Sequence, residues 1–397
     1  MTINPLNLFI EINNLNFIFV VVERVDDNYS KIILKENIPI QGIEDNKITD
    51  YNLIFKIFKE KIYSLEQNLN FVFKEVIIIL DNFNYSLISF SGFKKLNGSQ
   101  LLKENITYIL NFLKSQINES EKKKTILHIF NTKFTLDNKE MVNLPIGLFG
   151  NFYCHELSFF LLDNNDYHNL QQVFSDCNLK IKKIISKNFI EGATLTNSDS
   201  KLNHLFKIEI SEEHSKITFM ENSSLKYIQD FKFGSNLIIN DISKVTGLKI
   251  DIIKKILINS NFAEQKLEEL VEKNFFEDNN YRKISKKLII DIAKARIEEL
   301  LEIILFENIN TKFFLAKRIS IFLKINDPLI FQKFSYSFKL FFSKKDNCNL
   351  NIIDNDELEN FYNNANDIVQ FGWKKEAVPI ILEKRSILAR LFNFLFG

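Results

Sequence analysis

Two separated parts of the chain share one pattern of apolar and polar residues. In the first part a strand ends on Glu11-Ile12, a polar turn follows, and an apolar run at 17–22 begins the next strand. In the second part a strand ends on Glu209-Ile210, a turn follows at 211–215, and two more strands come after it. Such runs predict β-hairpins. Because the strand–turn–strand–strand unit occurs twice, we expect a chain of two related lobes.

The segment between the two copies adds a second constraint. It contains Pro145, Gly147 and Gly150 within six residues, in a chain that has only 10 Gly and 5 Pro. Proline fixes one backbone angle and glycine admits conformations that are closed to other residues, so this is a specified turn. The elements predicted after the turn are a strand, a helix and a strand, at 152–162, 166–177 and 180–185. This order predicts an α/β or α+β fold.

Apolar residues at helical spacing, and one continuous apolar run, define the other predicted elements. The run at 75–80 is typical of a strand that is buried on both faces. The helical pattern recurs five times. The predicted helices are at 50–68, 100–116, 249–258, 263–273 and 285–306.

Composition excludes several classes of function. At 397 residues the chain needs more than one core. Its net charge of +1 provides no general field for nucleic acid. The three cysteines and five histidines have no metal-ligand spacing, and no nucleophile elbow, HExxH or Walker A motif occurs. The sequence therefore predicts no catalytic residues, no metal ligands and no nucleic-acid partner.

The C-terminal residues form an amphipathic pattern. As a helix, 385–397 would carry aliphatic and aromatic side chains on one face and basic ones on the other, which suits a membrane interface. A terminal helix that packs on its own core is the alternative. The residues predicted to contact lipid are Arg385, Ile387, Leu388, Arg390, Leu391, Phe392, Phe394 and Leu395.

Four segments, in this order, resemble motifs of the FtsA family of bacterial cell-division proteins. Asn143–Gly150 (NLPIGLFG) is similar to the family's NPVGLSG, and Asp176–Ile181 (DCNLKI) is similar to CGLKV. Gly234–Ser243 (GSNLIINDIS) resembles GGxxITxDIA, and Ile284–Leu300 resembles ISRxxLxxIIxARxEEL. Order and spacing hold from about residue 6 to 310, and again at the tail.

The resemblance implies an α/β, actin-like ATPase (ribonuclease H-like) fold of two lobes. It also implies an SHS2-type insert, called 1C, and a C-terminal amphipathic helix. The implied ranges are subdomain 1A at 4–81 and 164–200, the insert at 82–163, 2A at 201–245 and 302–375, 2B at 246–301, a linker at 376–384 and the helix at 385–397.

In actin-like proteins the two hairpin turns hold the phosphates of ATP, and an acid in each strand holds the waters of Mg²⁺. The resemblance places the nucleotide site at Glu11, Asn13, Glu209, Ser211, Gly234, Glu298 and Glu299. Both turns lack the family's glycines, Glu212 and Glu213 add negative charge to the second, and no glycine occurs at 313–319 where an adenine-side loop is expected. We therefore predict weak or absent binding of Mg·ATP and residual ATPase activity at most.

The resemblance implies a protein that tethers the FtsZ ring to the cytoplasmic face of the inner membrane at the division site. Its implied partners are the C-terminal peptide of FtsZ, docking on 246–301, membrane lipids, later divisome proteins and other copies of itself in a head-to-tail polymer. Two alternatives remain. One is an actin-fold ATPase that binds nucleotide in an unusual way, and the other is a pilus-assembly protein similar to PilM.

Overall fold

The structure, a computed structural model, describes residues 6–25, 30–44, 46–81, 83, 85–198, 202–262, 268–276, 281–315, 318–353 and 360–377. The chain divides into two compact units, Met1–Lys187 with Ala365–Gly397, and Asn188–Asn364. The predicted membrane helix at 385–397 lies outside the described residues. Among the helices that the structure describes, none combines the length and apolar character needed to cross a membrane.

The first unit is built mainly of strands. Its elements, in chain order, are β1 (Leu6–Ile12), β2 (Asn16–Arg24), β3 (Ser30–Pro39), β4 (Ile43–Glu44), β5 (Lys47–Ile48), α1 (Tyr51–Leu69), β6 (Glu75–Leu80), β7 (Tyr85–Lys95), α2 (Lys103–Ser120), β8 (Lys124–Leu136), β9 (Lys139–Met141), β10 (Phe152–Asp163), α3 (Asn164–Asp176) and β11 (Lys180–Ser186).

The main sheet of this unit has the order β11-β6-β1-β2-β3. β1 pairs antiparallel with β2 and parallel with β6, and β6 pairs parallel with β11. The apolar run of β6 is buried along Val76–Leu80, as a central parallel strand requires. Helix α1 begins where predicted, since Asp50 accepts a hydrogen bond from the Leu53 backbone N–H at 3.0 Å.

A second sheet, of order β7-β10-β8-β9, forms the insert between β6 and α3. Helix α2 buries Ile109 and Leu113 in the same core as Phe159 of β10. The turn at 145–150 is specified as expected, because Gly147 has φ +86° and its N–H donates to the Leu101 carbonyl. The assignment of this sheet and helix as an SHS2 domain stays a prediction.

The second unit repeats the plan of the first sheet. Its elements are α4 (Lys187–Ser198, of which Lys187 lies in the first unit), β12 (His204–Ile210), β13 (Ser215–Glu221), β14 (Ser224–Phe231), α5 (Asn236–Thr246), α6 (Ile250–Asn259), α7 (Lys286–Leu301), a π-helical turn (Glu302–Phe306), β15 (Ile319–Ile325), α8 (Pro328–Ser343), β16 (Cys348–Ile352) and α9 (Phe361–Phe371), which runs on into the first unit.

The order of its sheet is β14-β13-β12-β15-β16. The pairings match those of the first sheet, with β12 antiparallel to β13 and parallel to β15. Because the sheets match, Asp81 in the first unit and Asn326 in the second occupy equivalent positions. Asp81, just after β6, donates its backbone N–H to the Ile12 carbonyl, and Asn326, just after β15, donates to the Ile210 carbonyl. The duplicated hairpin pattern in the sequence therefore predicted a real duplication of structure.

One prediction about this unit was wrong, and one helix was missed. The helix expected at 263–273 is not present where the structure describes it, because 268–272 contains a turn and a bridge from Leu270 to Ser285, and only Lys273–Phe275 forms a 3-10 turn. Its residues 263–267 lie outside the described chain. Helix α5, whose buried face includes Ile238 and Ile242, was not predicted as a helix.

After α9 the chain forms a strap, Trp373–Ala377, along the edge of β8. Ala377 donates its N–H to the Ile129 carbonyl, and Lys375 accepts from the Asn131 N–H. Glu376 is bound from two elements, by His128 Nδ1 on β8 at 2.7 Å and by Lys183 Nζ on β11 at 2.8 Å. The linker expected at 376–384 thus begins with residues that are fixed to the insert.

Glu376→Gln should destabilise the first unit, since it leaves His128 and Lys183 without their carboxylate. Burial alone would raise the pKa of Glu376, but hydrogen bonds and charge from His128 and Lys183 outweigh it and lower the pKa to about 2. Because this pKa lies below that of an unfolded glutamate, the carboxylate's contribution is present above about pH 4.5 and is lost as pH falls towards 2.

Chemical denaturation should show that Glu376→Gln lowers the free energy of unfolding by an amount on the order of 3 kcal/mol near pH 7. This difference from the wild type should become smaller below about pH 4.5. Glu140→Gln is the matched control, since Glu140 is an exposed residue of the same insert whose pair with Lys133 spans 3.4 Å. Equal stability of the two variants near neutral pH would contradict the proposed anchoring.

Candidate functional site

The first hairpin turn, between β1 and β2, satisfies its own backbone donors. Asn13 Oδ1 accepts hydrogen bonds from the Leu15 N–H at 2.9 Å and the Asn16 N–H at 2.8 Å. This is an Asx-type turn, in which a side-chain oxygen takes the place of an external acceptor. Two backbone N–H groups of the turn, those of Leu15 and Asn16, are therefore already bonded to Asn13.

Glu11, at the end of β1, is 3% exposed and is held by a lysine. Lys187 Nζ lies 2.9 Å from Glu11 Oε1 and 3.2 Å from Asp81 Oδ2. Asn13 Nδ2 also donates to Glu11 Oε1, at 3.4 Å. The acid expected to face hydrated Mg²⁺ instead shares an ammonium group with a second carboxylate.

The second hairpin turn, between β12 and β13, is closed by the start of α5. Ser211 and Glu212 carbonyls accept hydrogen bonds from the Ser235 N–H at 2.8 Å and the Asn236 N–H at 2.9 Å. N–H groups at a helix N-terminus are a common anion site, but here they are bonded to the turn. Gly234 permits this approach, since a Cβ there would lie 2.1 Å from the Ser211 carbonyl oxygen.

Glu209, at the end of β12, is also bound by a lysine. Lys207 Nζ donates to Glu209 Oε2 at 2.8 Å and to Glu191 Oε2 of α4. Burial alone would lower the pKa of Lys207, but the charges of both glutamates and their hydrogen bonds outweigh it and raise the pKa. Lys207 is therefore a charged ammonium group in the interior of the second unit.

Asn326 completes the second turn. Its Nδ2 donates to Glu209 Oε1 at 2.7 Å and to Ser211 Oγ at 2.9 Å. Glu212 and Glu213 are exposed at the tip of the same turn. Because solvent screens exposed charges, their repulsion of a phosphate is weaker than a close contact would give. The predicted weak binding of anions at this turn therefore rests mainly on the Ser235 and Asn236 N–H groups, which are already bonded.

The remaining predicted positions lie elsewhere in the second unit. Glu298 of α7 pairs with Lys344, the residue just after α8, at 3.1 Å, and Glu299 pairs with Arg296 at 3.0 Å. In the predicted adenine-side loop at 313–319, the Phe314 ring stacks on Phe219 of β13 with centroids 4.2 Å apart. Ala316 and Lys317 of that loop lie outside the described residues.

The structure thus groups the predicted site residues into separate sets. Glu11 and Asn13 meet at the first turn, and Glu209, Ser211 and Gly234 meet at the second. Glu298 and Glu299 of α7 pair instead with Lys344 and Arg296. The residues present do not fit a Mg·nucleotide, because several N–H groups at both turns and both strand acids are already bonded within the chain. Within the described part of the chain, no group of three or more His, Cys, Asp or Glu side chains could hold a metal ion.

Sequence reasoning missed the two lysines. Lys207 could have been found, because it interrupts an otherwise apolar strand two residues before Glu209. Lys187 had no such signal. Its partners Glu11 and Asp81 are far apart in the sequence and come together only through the parallel pairing of β1, β6 and β11.

The search of family models finds no match for the chain. Cell division protein FtsA of Buchnera aphidicola subsp. Acyrthosiphon pisum is 23% identical over 301 residues, which cover 74% of this chain and 71% of that protein. FtsA of Neisseria meningitidis serogroup B is 21% identical, covering 75% and 72%, and FtsA of Escherichia coli K12 is 18% identical, covering 74% and 70%. The chain is thus similar to FtsA proteins of several bacteria over about three quarters of its length, at 18 to 23% identity.

A solved structure confirms the fold. The PilM–PilN type IV pilus biogenesis complex matches with a TM-score of 0.53 and 10% identity, covering 90% of this chain and 90% of that chain. At this identity the likeness concerns the fold alone. Together with the duplicated sheet, it establishes the actin-like ATPase fold that the sequence predicted.

Titration of Mg·ATP should show weak or absent binding. The N–H groups of Leu15, Asn16, Ser235 and Asn236 are already bonded. These four groups are therefore not available to the phosphates. At roughly 1 kcal/mol for each missing hydrogen bond to phosphate, binding of Mg·ATP would be weaker by about 4 kcal/mol. This corresponds to a factor of about a thousand in affinity. Calorimetry on the full chain should give a dissociation constant in the millimolar range or above. A micromolar or tighter constant that disappears with EDTA would overturn this prediction.

Proposed function

We propose that this FtsA relative is a membrane tether and scaffold for the FtsZ ring, and that it works without a cycle of ATP binding and hydrolysis. The relationship to FtsA supports the role in division. The single observation that separates this chain from an ATP-driven switch is that both hairpin turns and both strand acids are paired internally. Its proposed place is the cytoplasmic face of the inner membrane at the division site.

The membrane contact is assigned to 385–397 on the sequence pattern. A single short amphipathic helix binds lipid weakly, and an array of linked copies multiplies a weak anchor. A head-to-tail polymer of this chain would supply that array. In this proposal the polymer holds FtsZ on one side and lipid on the other, and it offers a platform to later divisome proteins.

Deletion of 385–397 should abolish co-sedimentation with liposomes that contain anionic lipid, because it removes the apolar face and the basic residues together. Replacing Leu391 and Phe392 with Asp in the full-length chain is the matched test of the apolar face alone. The measurement is the fraction of protein that pellets with vesicles. Undiminished pelleting of the truncated protein would contradict the tether.

The FtsZ peptide is assigned to 246–301. Exposed isoleucines occur on α6 in this range, with Ile250 at 42% and Ile258 at 61% exposure. Single exposed apolar side chains are common on protein surfaces, so the assignment rests on the resemblance to FtsA, and these two residues are positions at which to test it.

Ile258→Asp should weaken capture of the chain by an immobilised FtsZ C-terminal peptide by at least about tenfold, since one lost apolar contact is worth 1.4 kcal/mol or more. Ile309→Asp is the matched control, because Ile309 is 74% exposed and lies outside 246–301. Absence of binding by the wild-type chain would instead favour the PilM-like alternative, in which the same fold binds a cytoplasmic peptide of a different membrane partner.

A further inference from the structure

In each unit, the acid that ends the first hairpin strand is held by a lysine of the same unit. The lysine is Lys187 for Glu11 and Lys207 for Glu209. Each lysine binds a second carboxylate as well, Asp81 in the first unit and Glu191 in the second. An asparagine, Asn13 or Asn326, donates its carboxamide to each strand acid. The two units thus share one arrangement of acid, lysine, second acid and amide.

The two lysines reach their acids along different paths. Lys187 comes from the end of the parallel strands, after β11, whereas Lys207 lies on β12 itself, two residues before its acid. The environments also differ, since the Lys187 side chain is 19% exposed and the Lys207 side chain is 2% exposed. The arrangement is therefore not a simple copy of one lysine position. What the units have in common is a positive charge between two carboxylates.

We propose that Lys187 and Lys207 are resident counter-ions, that is, cations supplied by the chain itself. Each neutralises the strand acid that lies beside hydrated Mg²⁺ in nucleotide-binding proteins of this fold. The proposal rests on the proposed nucleotide-independent function and names the groups that make it possible. A buried carboxylate pair without a cation is strongly destabilising. With the ammonium group in place, the carboxylates of each unit are neutralised in the folded state without a metal ion or a nucleotide.

Removal of the lysine should therefore create a requirement for a divalent cation. In Lys187→Met, Glu11 and Asp81 would face each other across the space left by the ammonium group. Carboxylate oxygens are the ligands that Mg²⁺ and Mn²⁺ prefer, and a cation that binds only the folded state stabilises it. We expect a lower melting temperature for K187M in EDTA, and a rise of at least about 3 °C when Mg²⁺ or Mn²⁺ is added at millimolar concentration.

Four matched proteins test the charge argument on the full chain. The wild type and K187R keep the cation and should not respond to Mg²⁺. K31M replaces an exposed lysine of β3 in the same unit, and should also not respond. The double variant K187M/E11Q removes one charge of each sign, and should regain stability in EDTA while losing the response to Mg²⁺.

The second unit offers an independent repeat. K207M should show the same lower melting temperature in EDTA and the same partial rise when a divalent cation is added. K254M, which replaces an exposed lysine of α6, is the control. If K207M or K187M does not fold in either buffer, the double variants K207M/E191Q and K187M/E11Q decide. Recovery of folding supports the counter-ion role, and failure to recover overturns it.

The proposal is also overturned if folded K187M melts at the wild-type temperature in EDTA, or if Mg²⁺ and Mn²⁺ leave its melting temperature unchanged. These outcomes are separate from the tests of the tether. Failure of the liposome or FtsZ experiments would leave the charge replacement intact, and failure here would leave membrane and FtsZ binding intact.

Discussion

A carboxylate at the end of a central strand has to be neutralised, and this requirement shapes both units. Glu11 ends β1 and Glu209 ends β12, the strands that join each hairpin to the parallel part of its sheet. Burying such a charge alone would cost more than a typical domain's margin of stability allows. Lysines and carboxamides of the chain meet the requirement here. The fold therefore does not depend on a bound cation at either turn.

The same logic explains how the turns form without the family's glycines. A glycine-rich turn leaves N–H groups pointing outward for a ligand, whereas Asn13 supplies an acceptor from inside its own turn. At the second turn the acceptors are the turn carbonyls and the donors belong to the start of α5. Gly234 is kept because the turn and the helix touch there. A donor bonded within the chain is not free for phosphate, and this is the physical basis for the predicted weak binding of nucleotide.

Local patterns predicted most of the fold, and long-range pairing explains most of what they missed. Hairpins, the buried run of β6 and the cap of α1 at Asp50 are encoded in adjacent residues, and they lie where expected. The segment at 263–273 has helical spacing, yet its described part bridges to Ser285 instead, because tertiary pairing outweighs a weak helical preference. Five of the seven predicted site residues lie at the two turns, whereas Glu298 and Glu299 lie on α7. The lysine that binds Glu11 follows a distant strand, which no local pattern reveals.

The strap fixes the described end of the chain to two parts of the first unit. Its backbone hydrogen bonds run to β8, in the insert, and Glu376 also binds Lys183 on β11 of the main sheet. Lys187, which holds Glu11, comes directly after the same strand. The strap and the charge balance at the first turn are therefore connected through β11. At the second turn the corresponding lysine lies on β12 instead, so the acid there is neutralised from within its own strand and needs no such connection.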